Sequence, residues 1–284
     1  MTETPQAFVD RLSDLQDEEI DLGYAALMLA AFDQPGVSIE RYVHHLYTLA
    51  EDVGSRYLAL LKSGADESVE TRLAALKHVI SDQHAYIGDK SRYDDLENMS
   101  LIRVIERAKG IPITLSILYI AAGRAQGWDI YGLHIPGHFV CRLDSGSARL
   151  IFDPFENCKL LEASDLRLLV KRALGERAEL SSHYFEPCSN RDILIRLQNN
   201  IKHRLIEDED YAGALTVIER MRKIDPQEFR LLFDAGVLYA RVEQTRAAID
   251  ALEAYLARVP NDPARFGDRH DALLLLAELK GRLN

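Results

Sequence analysis

The last hundred residues carry a spacing that few folds can satisfy. Pro226 and Pro260 stand 34 positions apart, and so do Ala214 and Ala248, each alanine twelve residues ahead of its proline. "DYAGALTVIERMRKIDP" therefore superposes on "TRAAIDALEAYLARVPND". Small residues at fixed places let two helices approach closely, and a proline stops a helix by removing an amide donor and crowding the preceding turn. Between the two prolines, "LLFDAGVLYARV" places Gly236 and Tyr239 where a helical hairpin crosses tightly. A chain with this period stacks hairpin on hairpin, each contacting its neighbours. No strand pattern follows Asn190, and "RHDALLLLAELKGRL" reads as a capping helix.

The preceding residues have no such period. "IDLGYAALMLAAF" repeats its apolar residues at helical spacing, "SIERYVHHLYTLAEDV" opens with Ser38 as a predicted N-cap, and "SVETRLAALKHVISDQ" gives a third helix. "HAYIGDKSRYDDLENMS" is polar and aperiodic, a long loop of the kind that carries function in compact domains. "SLIRVIERAKG" is a short helix with Gly110 at its end; the next helix starts at Pro112, which suits the first helical position, and stops near Gly127. "DIYGLHIPGHFVCRL" and "ARLIFDPF" then switch to strand chemistry, joined by the turn signal "DSGS". This hairpin is the one convincing strand pair that the pattern gives. Helix returns in "EASDLRLLVKRAL".

The expected fold class is α+β and mostly helical: a domain over residues 1–187 with a small antiparallel sheet, then an all-α helical-hairpin domain over 188–284. Net charge is −11 across 284 residues, so a broad nucleic-acid surface is not expected, because phosphate binding needs a basic face. The N-terminus lacks the basic and apolar regions of a signal peptide, and no apolar run is long enough to cross a bilayer. Cys141, Cys158 and Cys188 have no CxxC spacing, so neither a disulfide framework nor a structural zinc site is expected; a reducing cytoplasm is the simplest setting.

Chemistry concentrates in "GLHIPGHFVCRL", Gly132 to Leu143, and in "FDPF" at 152–155. A histidine base needs a carboxylate on one nitrogen and a nucleophile at the other. His138 and Asp153 lie on neighbouring predicted strands and are placed to pair. Cys141 is three positions from His138, and side chains alternate faces along a strand, so its thiol points away from that histidine and into the core. His134, His138 and Asp153 are acceptable metal ligands, but on an unbroken strand the two histidines lie ~13 Å apart. No metal and no cofactor are therefore expected. The pair His44–His45 falls on a helix, where neighbours diverge, and reads as solvated or partner-facing. The acidic run "EDEDY" at 207–211 reads as a solvated inter-helix loop.

"SRYDDLENMSLIRVIERAKGIPITLSILYIAAGRAQGW", "IPGHFVCRL" and "FDPF" together resemble the SirB-type branch of the transglutaminase-like superfamily. The 34-residue period resembles the tetratricopeptide repeat, which follows the transglutaminase-like domain in that branch. The resemblance implies a papain/transglutaminase-like domain of bacterial origin and a Cys–His–Asp triad, with His138 at the histidine and Asp153 at the aspartate. Its cysteine position is occupied by Pro112. Thr114 points roughly 200° away from position 112, and Ser116 lies a turn deeper on the same face. The loop holding Tyr93, Asn98 and Ser100 is implied to border the cleft, where Asn98 could donate to an oxyanion; the plainer readings are loop packing for Tyr93 and helix capping for Asn98 and Ser100.

Three functions remain open at this point. One is a pseudoenzyme that acts by protein–protein interaction, with the repeats receiving a protein or peptide. Another is an amide or peptide-bond hydrolase or acyltransferase using Thr114 or Ser116 with His138 and Asp153. The last is an indirect regulator of gene expression working through protein contacts. The sequence is silent on oligomeric state.

Overall fold

The computed structural model describes residues 3–260 and 266–283. The chain divides into two compact units, one built from Gln16–Leu197 and the other from Gln198 onward together with Gln6–Leu15. Helix α1 (Pro5–Leu12) thus packs with the repeats, where Lys223 Nζ lies 2.6 Å from Asp10.

The first unit begins with α2 (Leu22–Ala30), capped by the Asp21 carboxylate accepting from the Tyr24 amide, and α3 (Glu40–Lys62). Ser38 does not cap α3: its hydroxyl bonds the Glu40 side chain, and the helix starts after Ile39. Helix α4 (Val69–Lys77) is capped by Ser68 and widens into a turn of π-helix over His78–Gln83. A two-residue parallel bridge then joins β1 (Ile87–Gly88) to β2 (Lys109–Gly110). Between them, α5 (Leu101–Arg107) ends on Ala108 in the left-handed conformation, so Gly110 belongs to the bridge and not to the helix end.

Helix α6 (Pro112–Arg124) is the axis of this unit. Leu115, Ile117, Leu118, Tyr119 and Ile120 are each at most 1% exposed. A fully buried side chain of this size stabilises by about 1.5–3 kcal/mol relative to exposure, so the helix is held by its surroundings on every face.

The sheet is an antiparallel meander, β3 (Asp129–Ile135), β4 (His138–Ser145), β5 (Ala148–Asp153) and β6 (Lys159–Leu160). The stretch expected as one strand is two. Pro136 and Gly137 form a two-residue turn, with Ile135 paired to His138 and Gly137 at φ +69°. Proline supplies the fixed φ of a turn's first central residue and glycine the positive φ of its second. Leu133, Ile135, Val140 and Ile151 pack on one face against Leu166 and Val170 of α7 (Ala163–Leu174). Cys141 packs on the opposite face, its Sγ 4.0 Å from the Ser116 carbonyl of α6.

Helix α8 (Asn190–Glu207) leads into α9 (Tyr211–Ile224), α10 (Arg230–Arg241), α11 (Thr245–Arg258) and α12 (Phe266–Leu283). Asp210, at the end of the acidic run, caps α9 by accepting from the Gly213 amide. A Cβ on Gly236 would sit 2.7 Å from Leu252 Cγ and 3.5 Å from the Ala248 carbonyl. The close crossing of α10 and α11 therefore requires the glycine, and Ala248 marks the same contact from the other helix.

Candidate functional site

His138 opens β4, and Asp153 closes β5. Their side chains meet with His138 Nε2 2.7 Å from Asp153 Oδ2. Asp153 is 3% exposed, and its other oxygen accepts the Phe155 amide at 2.9 Å, closing the turn ahead of Pro154. The aspartate therefore serves as a turn cap and a histidine partner at once. Carboxylate contact at Nε2 leaves Nδ1 as the nitrogen with which this histidine could serve a reacting group.

No described nucleophile reaches that histidine. Among the described residues, the one hydrogen-bond partner of the His138 ring is the Asp153 carboxylate, while Arg196 Nη2 donates to the His138 carbonyl at 3.0 Å. Thr114 Oγ1 accepts from the Ile111 amide at 3.0 Å and lies 3.0 Å from the Asn98 carbonyl and 3.1 Å from that of Ile111. It is a fully buried cap of α6. Ser116 is also fully buried, and its hydroxyl has no hydrogen-bond partner among the described residues. Cys141 has no exposed surface, and burial pushes its thiol far above the ordinary range. Burial likewise raises Cys158 to about 12 and Cys188 to about 11. A thiol held protonated is a poor nucleophile. The first residue of α6 is Pro112, itself buried, which carries neither a nucleophilic atom nor an amide hydrogen.

Asn98 is fully buried and committed elsewhere. Its Nδ2 donates to the Arg92 carbonyl at 2.5 Å, and its Oδ1 accepts from Arg107 at 3.1 Å. Arg107 also contacts Asp89 at 3.1 Å, and Asp89 gathers the Ser91 hydroxyl and the amides of Ser91 and Arg92. The Ser91 hydroxyl and these amides hold the Asp89 carboxyl below its ordinary range. The long polar loop is thus an ordered, polar-wired segment. Ser100 caps α5 through the Arg103 amide at 3.5 Å, and Tyr93 stacks edge-on against Phe155 at 5.6 Å.

His134 pairs with Phe139, while His138 pairs with Ile135, so the two histidines lie on opposite faces of the sheet. Burial, and then the nearby Arg196 charge, lower His134 to about 4. No group of three or more His, Cys, Asp or Glu is placed to hold a metal among the described residues.

The expectation for His44–His45 needs correcting. His44 is exposed, but His45 is half-buried, with its Nε2 2.7 Å from the Tyr86 hydroxyl. His84 packs edge-on against it at 5.6 Å and contacts Asp52 at 2.9 Å. Burial, then the neighbouring His84, lowers His45. Nothing in the local pattern marks this cluster, because its members come from two segments, α3 and residues 84–86, about forty positions apart.

A family model described as the transglutaminase-like superfamily matches residues 40–199. The chain belongs to the transglutaminase-like superfamily. A second model, the tetratricopeptide repeat, matches residues 201–279. Relatives of this superfamily member run across both regions. A UPF0162 protein of Xylella fastidiosa strain Temecula1 is 26% identical over 257 residues, covering 89% of each chain. A UPF0162 protein of Vibrio cholerae is 26% identical, covering 88% of this chain and 92% of its own. Protein SirB1 of Salmonella typhimurium is 21% identical, covering 81% and 82% respectively. No solved structure matches the chain. No described helix is long and apolar enough to cross a membrane.

Proposed function

We propose that this transglutaminase-like protein is non-catalytic and works in the cytoplasm through protein–protein contacts, with the repeats receiving a protein or peptide partner. The observation that carries this reading is the His138–Asp153 pair with no hydroxyl or thiol bonded to the His138 ring among the described residues. Acyl transfer needs a nucleophile within hydrogen-bond reach of its base. Thr114 is spent on capping α6, and Ser116 is sealed in the core, so neither is offered to His138. In this reading the pair persists as a structural hydrogen bond, fixing the end of β5 against the start of β4. Stacked helical hairpins commonly present extended surfaces to partners. Any influence on gene expression runs through such contacts, since the acidic chain offers no broad phosphate-binding face.

The test compares partners recovered with tagged full-length chain, a His138→Ala variant and a chain ending at Leu197, by quantitative mass spectrometry. A partner kept by His138→Ala and lost on truncation supports the reading. A partner lost from a folded His138→Ala variant contradicts it.

A further inference from the structure

The first compact unit holds a second feature that the dyad does not use: a cleft of about 840 Å3 formed by α2, α3, α6 and the segment before α8. Ligand-binding clefts span roughly 300–1,000 Å3. Its floor is apolar, made by Leu22, Val43, Leu46, Ala50, Ala121 and Ala125. Gly23 allows this floor to form: a Cβ there would lie 3.0 Å from Leu46 Cδ1 and 3.3 Å from Ala121 Cβ. Tyr24, Tyr47 and Tyr131 add aromatic walls, and Tyr47 is 63% exposed.

The lip is acidic on one side. Asp17, Glu18, Glu19 and Asp21 line it, against a single cation, Arg124. That guanidinium is already engaged by the Ile130 carbonyl at 3.2 Å and the Asn190 side chain at 2.6 Å. Asp17 accepts the Asn190 and Arg191 amides, Asp21 the Tyr24 amide and Glu19 the Gln16 amide. Glu18 is exposed and has no hydrogen-bond partner among the described residues. The cleft therefore joins an apolar floor to an uncompensated negative edge with one carboxylate in reserve.

We propose that this cleft docks a peptide segment of a partner protein in which a Lys or Arg adjoins an apolar or aromatic residue. The apolar side chain fills the floor, and the cation meets Glu18 and the acidic lip. An exposed ion pair alone contributes only about 0–1 kcal/mol, so the floor supplies affinity and the lip supplies selectivity and speed of encounter. A free polyamine satisfies the lip but leaves the floor empty. A second copy of this acidic chain fits poorly at an acidic lip. This site is independent of the repeats, so it stands or falls apart from the reading above.

The experiment titrates full-length protein with acetylated, amidated hexapeptide pools by fluorescence anisotropy. One pool fixes Lys-Phe or Arg-Leu at its centre, the matched pool has Glu in place of the cation, and spermidine is the third ligand. The basic pool binds at least about tenfold more tightly than the acidic pool, and Glu18→Lys and Tyr47→Ala each weaken it by about fivefold or more. Both positions are exposed, and unchanged thermal unfolding of the variants confirms their fold. Equal binding of the two pools, no binding of either at millimolar peptide, or basic-pool binding unmoved by both substitutions overturns the proposal. Spermidine binding as tightly as the basic pool, or peptide competing only with self-association, overturns it in favour of those occupants.

Discussion

In the repeats, Gly236 lets α11 approach until Leu252 and the Ala248 carbonyl fill the place of a side chain. In the transglutaminase-like unit, the buried amide of Asn98 ties Arg92 to Arg107, and Arg107 reaches Asp89. The first contact is steric, and its alanine, Ala248, has a counterpart 34 positions earlier in Ala214. The second is polar, built once, and joins residues with no common spacing. Steric contacts of this kind are written in residue size and repeat along the chain. Polar networks depend on every member being present, since a buried group left unpaired costs its full desolvation.

That difference can be broken from either side. The largest expected effect is at Asn98. Asn98→Ala removes a fully buried side chain and leaves the part-buried Arg92 carbonyl and one part-buried Arg107 N–H without their partner, and is expected to cost about 3 kcal/mol in chemical denaturation of the first unit. A loss below about 1 kcal/mol would mean that the loop does not depend on its wiring. Gly236→Ala comes next, with a loss of about 2 kcal/mol from overpacking at the α10–α11 crossing. Its control is Gly281→Ala in α12, where a Cβ meets nothing within 4 Å. That change is expected to be neutral or to stabilise by up to about 1 kcal/mol through helix propensity. Equal losses at both glycines would argue against a steric origin.

The smallest effect is pH-dependent. His134 titrates at about 4 in the folded chain against an ordinary value of 6.5. The unfolded chain takes up its proton first as pH falls. His134 therefore contributes its full stabilisation above about pH 6.5 and loses it progressively toward pH 4. The ring is desolvated on one side yet keeps substantial contact with solvent, so screening limits the change to under about 1 kcal/mol. His134→Gln should flatten that part of the stability profile between pH 6.5 and 4.

The same contrast explains what could be read from the chain. The crossing glycine and the 34-residue spacing of Ala214 and Ala248 mark the repeats because packing there is local and periodic. In the first unit, helix starts at Ser100 and Pro112 were legible because caps act within one turn, whereas Ser38 offered the same signal and instead bonds the Glu40 side chain. The pairing of His138 with Asp153 followed from adjacent strands and the family pattern. The fold-back at Pro136–Gly137 was hidden by apolar residues that alternate through both strands, although Pro-Gly is itself a turn signal. The attachment of α1 to the repeats, the Asp89–Arg107 pair and the His45–Tyr86 contact leave no local trace. Each is a tertiary contact between segments 18 to more than 200 positions apart.

The central claim is that this member keeps a histidine–aspartate pair without a nucleophile. The most direct measurement follows hydrolysis of a quenched-fluorescence peptide library by the wild-type chain and by a His138→Ala variant. The account predicts wild-type turnover indistinguishable from buffer. Peptide hydrolysis by the wild type that disappears in His138→Ala would contradict it.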